Sequence, residues 1–185
     1  RWVETVYFFL SSLALCAVSL MFAIGNYSWI AYFGYFRYPL LFLLNWLPVL
    51  FVQLILLAIT GRQWSSFLLN CFFTLLPAIG NFYKIQFRND PFTFLDISSI
   101  AAGLDVAKDY NLQITTKVIV AIIFVIVGTV LLIFLSRGKI GKKLRLAALL
   151  VVAVMVFPLW EKVYSNDTLY YYTSGKNFVL RTRDE

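Results

Sequence analysis

The chain has 185 residues, of which 61% are hydrophobic and 14% charged, and it carries 18 Phe, 11 Tyr and 5 Trp. A water-soluble domain of this length has no core large enough to hide that much apolar surface, so the composition excludes a soluble globular fold and points to lipid as the solvent. The net charge of +7 comes from cations placed beside apolar runs. That placement fits membrane topology and anionic headgroups and argues against nucleic acid as a partner.

A bilayer core is crossed by roughly 20 apolar residues in a helix. Five stretches meet that length, at about 3–24, 39–59, 64–82, 116–135 and 144–160. The pattern predicts an all-α membrane protein with five transmembrane helices in a domain covering 1–160. The first run is too long for a signal peptide and lacks a small-residue cleavage site. The stretch "TKVIVAIIFVIVGTVLLIFL" is the most uniformly apolar of the five. The fifth run is the shortest and ends in Phe157, Pro158 and Trp160. β-branched residues do not argue for strands here, because lipid demands internally satisfied backbone.

Between the third and fourth spans, Ile97, Ile100, Leu104 and Ala107 recur at helical spacing, with Asp96 placed as an N-cap. Residues 96–110 therefore read as an interfacial amphipathic helix lying in the headgroup region. A plain connecting loop is the alternative. After the fifth span, residues 161–185 read as an extracellular connector, with Tyr164 and Tyr170 to Tyr172 as interfacial anchors. The chain opens on Arg1 and closes on Asp184 and Glu185, and it is expected to be a piece of a longer polypeptide.

The loop "SRGKIGKKLR" holds Arg137, Lys139, Lys142, Lys143 and Arg145 and is expected to stay in the cytoplasm. Alternation then puts the Arg62 turn and the N-terminus on the same side. The 26–38 loop, the 83–115 loop and the C-terminus fall outside, in a multi-pass membrane protein.

Little of the chemistry is catalytic. There is no His, the commonest general base and metal ligand. Cys16 and Cys71 fall inside apolar runs with no second ligand pair at a useful spacing, so no metal site is expected in this chain. Phosphate-binding loops and hydrolase or metalloprotease motifs are absent. Asn45, Gln53, Asn70 and Thr74 lie within the spans and read as groups that hydrogen-bond between helices. The span interiors hold no clear charge, which weighs against an ion-coupled transporter. Gly128 and the small residues of the first span permit close helix contacts, as a homo-oligomer would need.

The stretch with most content is "NFYKIQFRNDPFTFLDIS", residues 81–98. Lys84 and Arg88 are four apart, so they point the same way on a helix and on an extended strand alike. Asn81 joins them if the segment is helical, and Gln86 and Asp90 join them if it is extended. Two aligned cations at headgroup depth are suited to gripping a phosphate, with Arg offering a fork of donors and Lys a point charge. The alternative is snorkelling plus a salt bridge to Asp90 or Asp96, which would merely end the third helix.

This stretch resembles a segment in the membrane regions of lipoteichoic acid synthases and related phosphoglycerol transferases. The matching positions are Asn81, Phe82, Tyr83, Lys84, Arg88, Asp90, Pro91 and Asp96. The five-span layout with an outer C-terminus is also similar. The resemblance implies a bacterial plasma-membrane protein whose external sulfatase-like α/β domain follows the fifth helix. In that family a Thr nucleophile and a divalent metal, typically manganese, move glycerol phosphate from phosphatidylglycerol to a cell-envelope acceptor. No catalytic residue can be carried over to this chain, and no cofactor is expected within it. Asn81, Lys84, Arg88, Asp90 and Asp96 are then candidates for binding an anionic headgroup, with phosphatidylglycerol as the lipid partner. Two other readings stay open: a non-enzymatic transporter subunit or scaffold, and a related transferase of phosphoethanolamine or acting on periplasmic glucans.

Overall fold

The computed structural model describes residues 2–23, 29–37, 39–88, 114–136 and 138–161. All regular structure among them is helical. In chain order the helices are α1 (Trp2–Ala23), α2 (Trp29–Arg37), α3 (Pro39–Thr60), α4 (Gln63–Arg88), α5 (Thr116–Leu135) and α6 (Lys142–Leu159).

Local chemistry explains where several of these begin and end. Pro39 opens α3, where its missing N–H costs nothing because the first turn has no partner for it. Gly61 closes α3 with φ of 67°, a left-handed conformation that a Cβ would strain, and its N–H bonds the Leu57 carbonyl at 2.8 Å. The turn to α4 therefore needs only Gly61 and Arg62. Gly141 caps α6 in extended conformation, and its carbonyl accepts from the amides of Leu144 and Arg145.

Among the described residues, four helical stretches are long and apolar enough to cross a membrane: Glu4–Ala23, Pro39–Thr60, Gln63–Gln86 and Thr116–Leu135. This is compatible with a multi-pass membrane protein. α6 differs because Lys142, Lys143 and Arg145 fill its first turn. They leave roughly 14 uncharged residues, or about 21 Å of helix, against a hydrocarbon layer of about 30 Å.

Two boundaries depart from the sequence expectation. α4 continues to Arg88 rather than stopping near residue 82, because cations in a last helical turn interact well with the C-terminal dipole and no proline intervenes before Pro91. The stretch expected as a 26–38 loop contains the short aromatic helix α2. The expected interfacial helix at 96–110 lies outside the described residues, as does 162–185.

α1, α3 and α4 form the central bundle, with α5 packed on α4 and α1, and with α6 and α2 on α3. Hydrogen bonds show which ends coincide. The Gln63 side-chain amide donates to the Glu4 carbonyl at 3.1 Å, bringing the start of α1 to the α3–α4 turn. The Ile140 amide donates to the Gly61 carbonyl at 2.9 Å, bringing the α5–α6 loop to the same turn. At the opposite end Phe22 of α1 meets Phe82 of α4 edge-on, with ring centres 5.9 Å apart. The long helices thus run alternately up and down. Cysteines placed at Arg62 and Lys142 are expected to react with an impermeant thiol reagent from one side of a bilayer, and a cysteine at Lys84 from the other. The native Cys16 and Cys71 are buried and leave a low background. Labelling of positions 62 and 142 from opposite sides would contradict this arrangement.

Most of the apolar surface of α5 and α6 faces outward. Only Ala121 and Leu132 of α5 and Val152 of α6 are buried. Water would penalise such a continuous apolar exterior, and lipid tails do not.

The interior is joined by polar groups. The Gln53 amide donates to Ser11 Oγ at 2.9 Å and to the Phe8 carbonyl at 3.3 Å. Its oxygen accepts from Asn70, which also donates to the Val49 carbonyl, each at 3.1 Å. Thr74 donates to Asn70 Oδ1, and Trp46 Nε1 donates to Ser12 Oγ at 2.9 Å. One chain of hydrogen bonds therefore links α1, α3 and α4. Asn45 and Thr74 differ from the interhelical pattern: the Asn45 amide folds back on its own helix to the Leu41 carbonyl, and the Thr74 hydroxyl bonds Asn70 four residues earlier on the same helix.

Candidate functional site

The helical course of α4 settles which neighbours align with Lys84 and Arg88. At about 100° per residue, Asn81, Lys84 and Arg88 share one face of the last two turns, while Gln86 falls on the other side. Asn81 and Lys84 are half-buried. Arg88 is the last residue of the helix. Asp90 and Asp96 lie outside the described residues, so the five candidate residues are brought together only as far as these three.

Aromatic packing holds this end of α4 in place. Phe82 is buried, edge-on to Phe22, and its ring centre lies 5.3 Å from that of Tyr83. Tyr32 of α2 donates its hydroxyl to the Ala17 carbonyl at 3.1 Å, and Tyr32 and Tyr35 pack against the same apolar cluster. Burial raises both phenols above their ordinary value, with Cys16 adding to the effect at Tyr32. Both therefore stay neutral through the physiological range, and Tyr32 keeps its role as a donor.

A further cation belongs here that the sequence pattern did not single out. Lys117 Nζ of α5 lies 5.1 Å from the centre of the Phe82 ring, within the range of a cation–π contact. A lysine one residue into the most apolar helix, where the N-terminal dipole repels it, was the available signal. The ring that receives it comes from α4 and is invisible locally. Two residues earlier, the Thr115 hydroxyl is buried without a hydrogen-bond partner and makes no cap to α5. This end of the bundle thus holds Lys84 on α4 and Lys117 on α5, with the Thr115 hydroxyl buried beside the start of α5.

Comparison with family models, with curated proteins and with solved structures returns no match. The chemistry has to be argued from these residues alone. Cations with amide and hydroxyl donors are residue types suited to contacting an anion. Among the described residues no group of three or more His, Cys, Asp or Glu comes together. The divalent ion that the family resemblance implies has no ligand set among them, and no step is assigned to it. Cys16 and Cys71 are free thiols within the apolar cluster.

Proposed function

We propose that this chain is the membrane module of a lipoteichoic-acid-synthase-like phosphoglycerol transferase, and that it holds the headgroup of an anionic lipid such as phosphatidylglycerol. The observation that supports the reading is the alignment of Asn81, Lys84 and Arg88 on the last turns of α4. Lys84 and Arg88 grip the phosphate, and Asp90 and Asp96 orient them. In this reading α6 is a fifth crossing, shortened and tilted less than its neighbours, with its cationic first turn in the cytoplasm. The N-terminus is then cytoplasmic, and the connector at 161–185 leads outside to a sulfatase-like domain that carries the catalysis.

The direct test is phosphatidylglycerol binding by the purified chain. Lys84→Ala with Arg88→Ala removes two charge-assisted contacts of about 1.5–3 kcal/mol each. Binding is expected to weaken at least tenfold, while thermal stability changes little. Equal affinity in the parent and the double variant would remove the headgroup site. The coding sequence downstream of Glu185 separates the transferase from a scaffold or transporter subunit. A following sulfatase-like domain supports the transferase, and an immediate stop codon sinks it.

A further inference from the structure

The opposite end of the bundle carries a separate set of cations, assembled from two segments distant in sequence. The amide of Ile140 bonds the Gly61 carbonyl, so the α3–α4 turn and the α5–α6 loop lie against each other. Arg145 is committed within this assembly. Its Nε donates to the Ala58 carbonyl at 2.6 Å and its Nη2 to the Ile59 carbonyl at 2.8 Å, satisfying the orphan carbonyls and negative dipole at the end of α3.

These bonds also set a depth. Arg145 is level with the end of α3, a helix of 22 residues and so about 33 Å long, enough to cross the hydrocarbon. Lys142 and Lys143 precede Arg145 by two to three residues, so they lie a few ångströms further out. Lys139 lies beyond them, and Arg62 is two residues past the end of α3. All four side chains are exposed. Ile59, Leu144 and Leu146 are also exposed, at 67%, 62% and 60%, so the cations border the apolar belt directly.

Among the described residues their charge is poorly balanced. The acidic residues among the described ones are Glu4, which is at this end, and Glu161, which is at the far end of α6. The N-terminal dipole of α6 adds to the positive field instead of relieving it. An external anion at the depth of the lipid phosphates relieves it best.

We propose that Arg62, Lys139, Lys142 and Lys143 form a binding surface for anionic lipid headgroups in the leaflet opposite to Lys84. This surface does not depend on the transferase reading. The border with the exposed apolar residues selects membrane lipid over a soluble polyanion.

The test uses native mass spectrometry of the purified chain in detergent, offered phosphatidylglycerol and phosphatidylcholine in equal amounts. The chain carries Lys84→Ala and Arg88→Ala throughout, so the opposite end contributes nothing to the comparison. The preference for phosphatidylglycerol is expected to fall roughly fivefold for each lysine lost in the series Lys139→Gln, Lys142→Gln, Lys143→Gln. It is expected to survive when all three become Arg, and to weaken with added salt. Retention of the preference in the triple Gln chain would overturn the proposal, and so would its loss in the triple Arg chain. Binding of inorganic polyphosphate in place of the lipid would put the partner in solution and overturn it equally.

Discussion

Gly128→Val is expected to loosen α5 from α4 and to lower the thermal unfolding temperature of the detergent-solubilised chain. A Cβ built at Gly128 would stand 2.8 Å from Cε1 and Cζ of Phe67, closer than real Cβ contacts come. Phe67 has nowhere to retreat. It is 1% exposed, and its ring meets Phe124 edge-on at 5.8 Å, one helical turn before Gly128. Forcing extra volume into such a contact costs about 1–3 kcal/mol. Gly128→Ala is the weaker test, because the gain in helix propensity of about 1 kcal/mol opposes the clash. Valine adds two methyl groups more and lets the clash dominate. α5 has little else to hold it, since only Ala121 and Leu132 are buried. Adding Phe67→Leu to Gly128→Val is expected to restore part of the lost stability by removing the ring edge. An unchanged transition in Gly128→Val would mean that α5 does not pack on Phe67.

The second large effect is expected at the hydrogen-bonded pair of Gln53 and Asn70, both fully buried. Gln53→Leu leaves an Asn70 amide proton without its acceptor, while Ser11 Oγ keeps its bond to the Phe8 carbonyl, and Asn70→Leu leaves the Gln53 oxygen without its donor and the Thr74 hydroxyl without its acceptor. A hydrogen bond between membrane helices contributes on average about 0.6 kcal/mol. An unpaired buried polar group costs about 1–3 kcal/mol, so the orphaned partner decides the size of each single effect. The double variant, with both partners replaced by leucine, is expected to be less destabilised than the sum of the two singles. A double-mutant cycle on thermal or denaturant unfolding measures this directly. Strict additivity would show that the two side chains do not act on one another.

The apolar runs were legible as helices because hydropathy is a local property and lipid leaves the backbone few alternatives. The interhelical role of Gln53 and Asn70 was legible for a similar reason, since a polar group in an apolar span has to find a partner. Asn45 and Thr74 found their partners on their own helices, which hydropathy alone does not reveal. At the candidate site, the common direction of Lys84 and Arg88 followed from their separation of four, but whether Asn81 or Gln86 stood beside them waited on the helical course of α4. α2 was not legible, because nine aromatic-rich residues between two longer runs carry no span-length signal.

The sequence by itself determined the helical class of the described residues, the stretches long and apolar enough to cross a membrane, and the two places where cations gather. Only the tertiary structure decided that Lys117 reaches Phe82, that Arg145 closes the end of α3, and that Gly128 receives the Phe67 ring. The physical reason is that hydropathy and charge act residue by residue along the chain, whereas these contacts depend on which helices become neighbours. Close packing and hydrogen-bond satisfaction choose those neighbours across long separations in sequence.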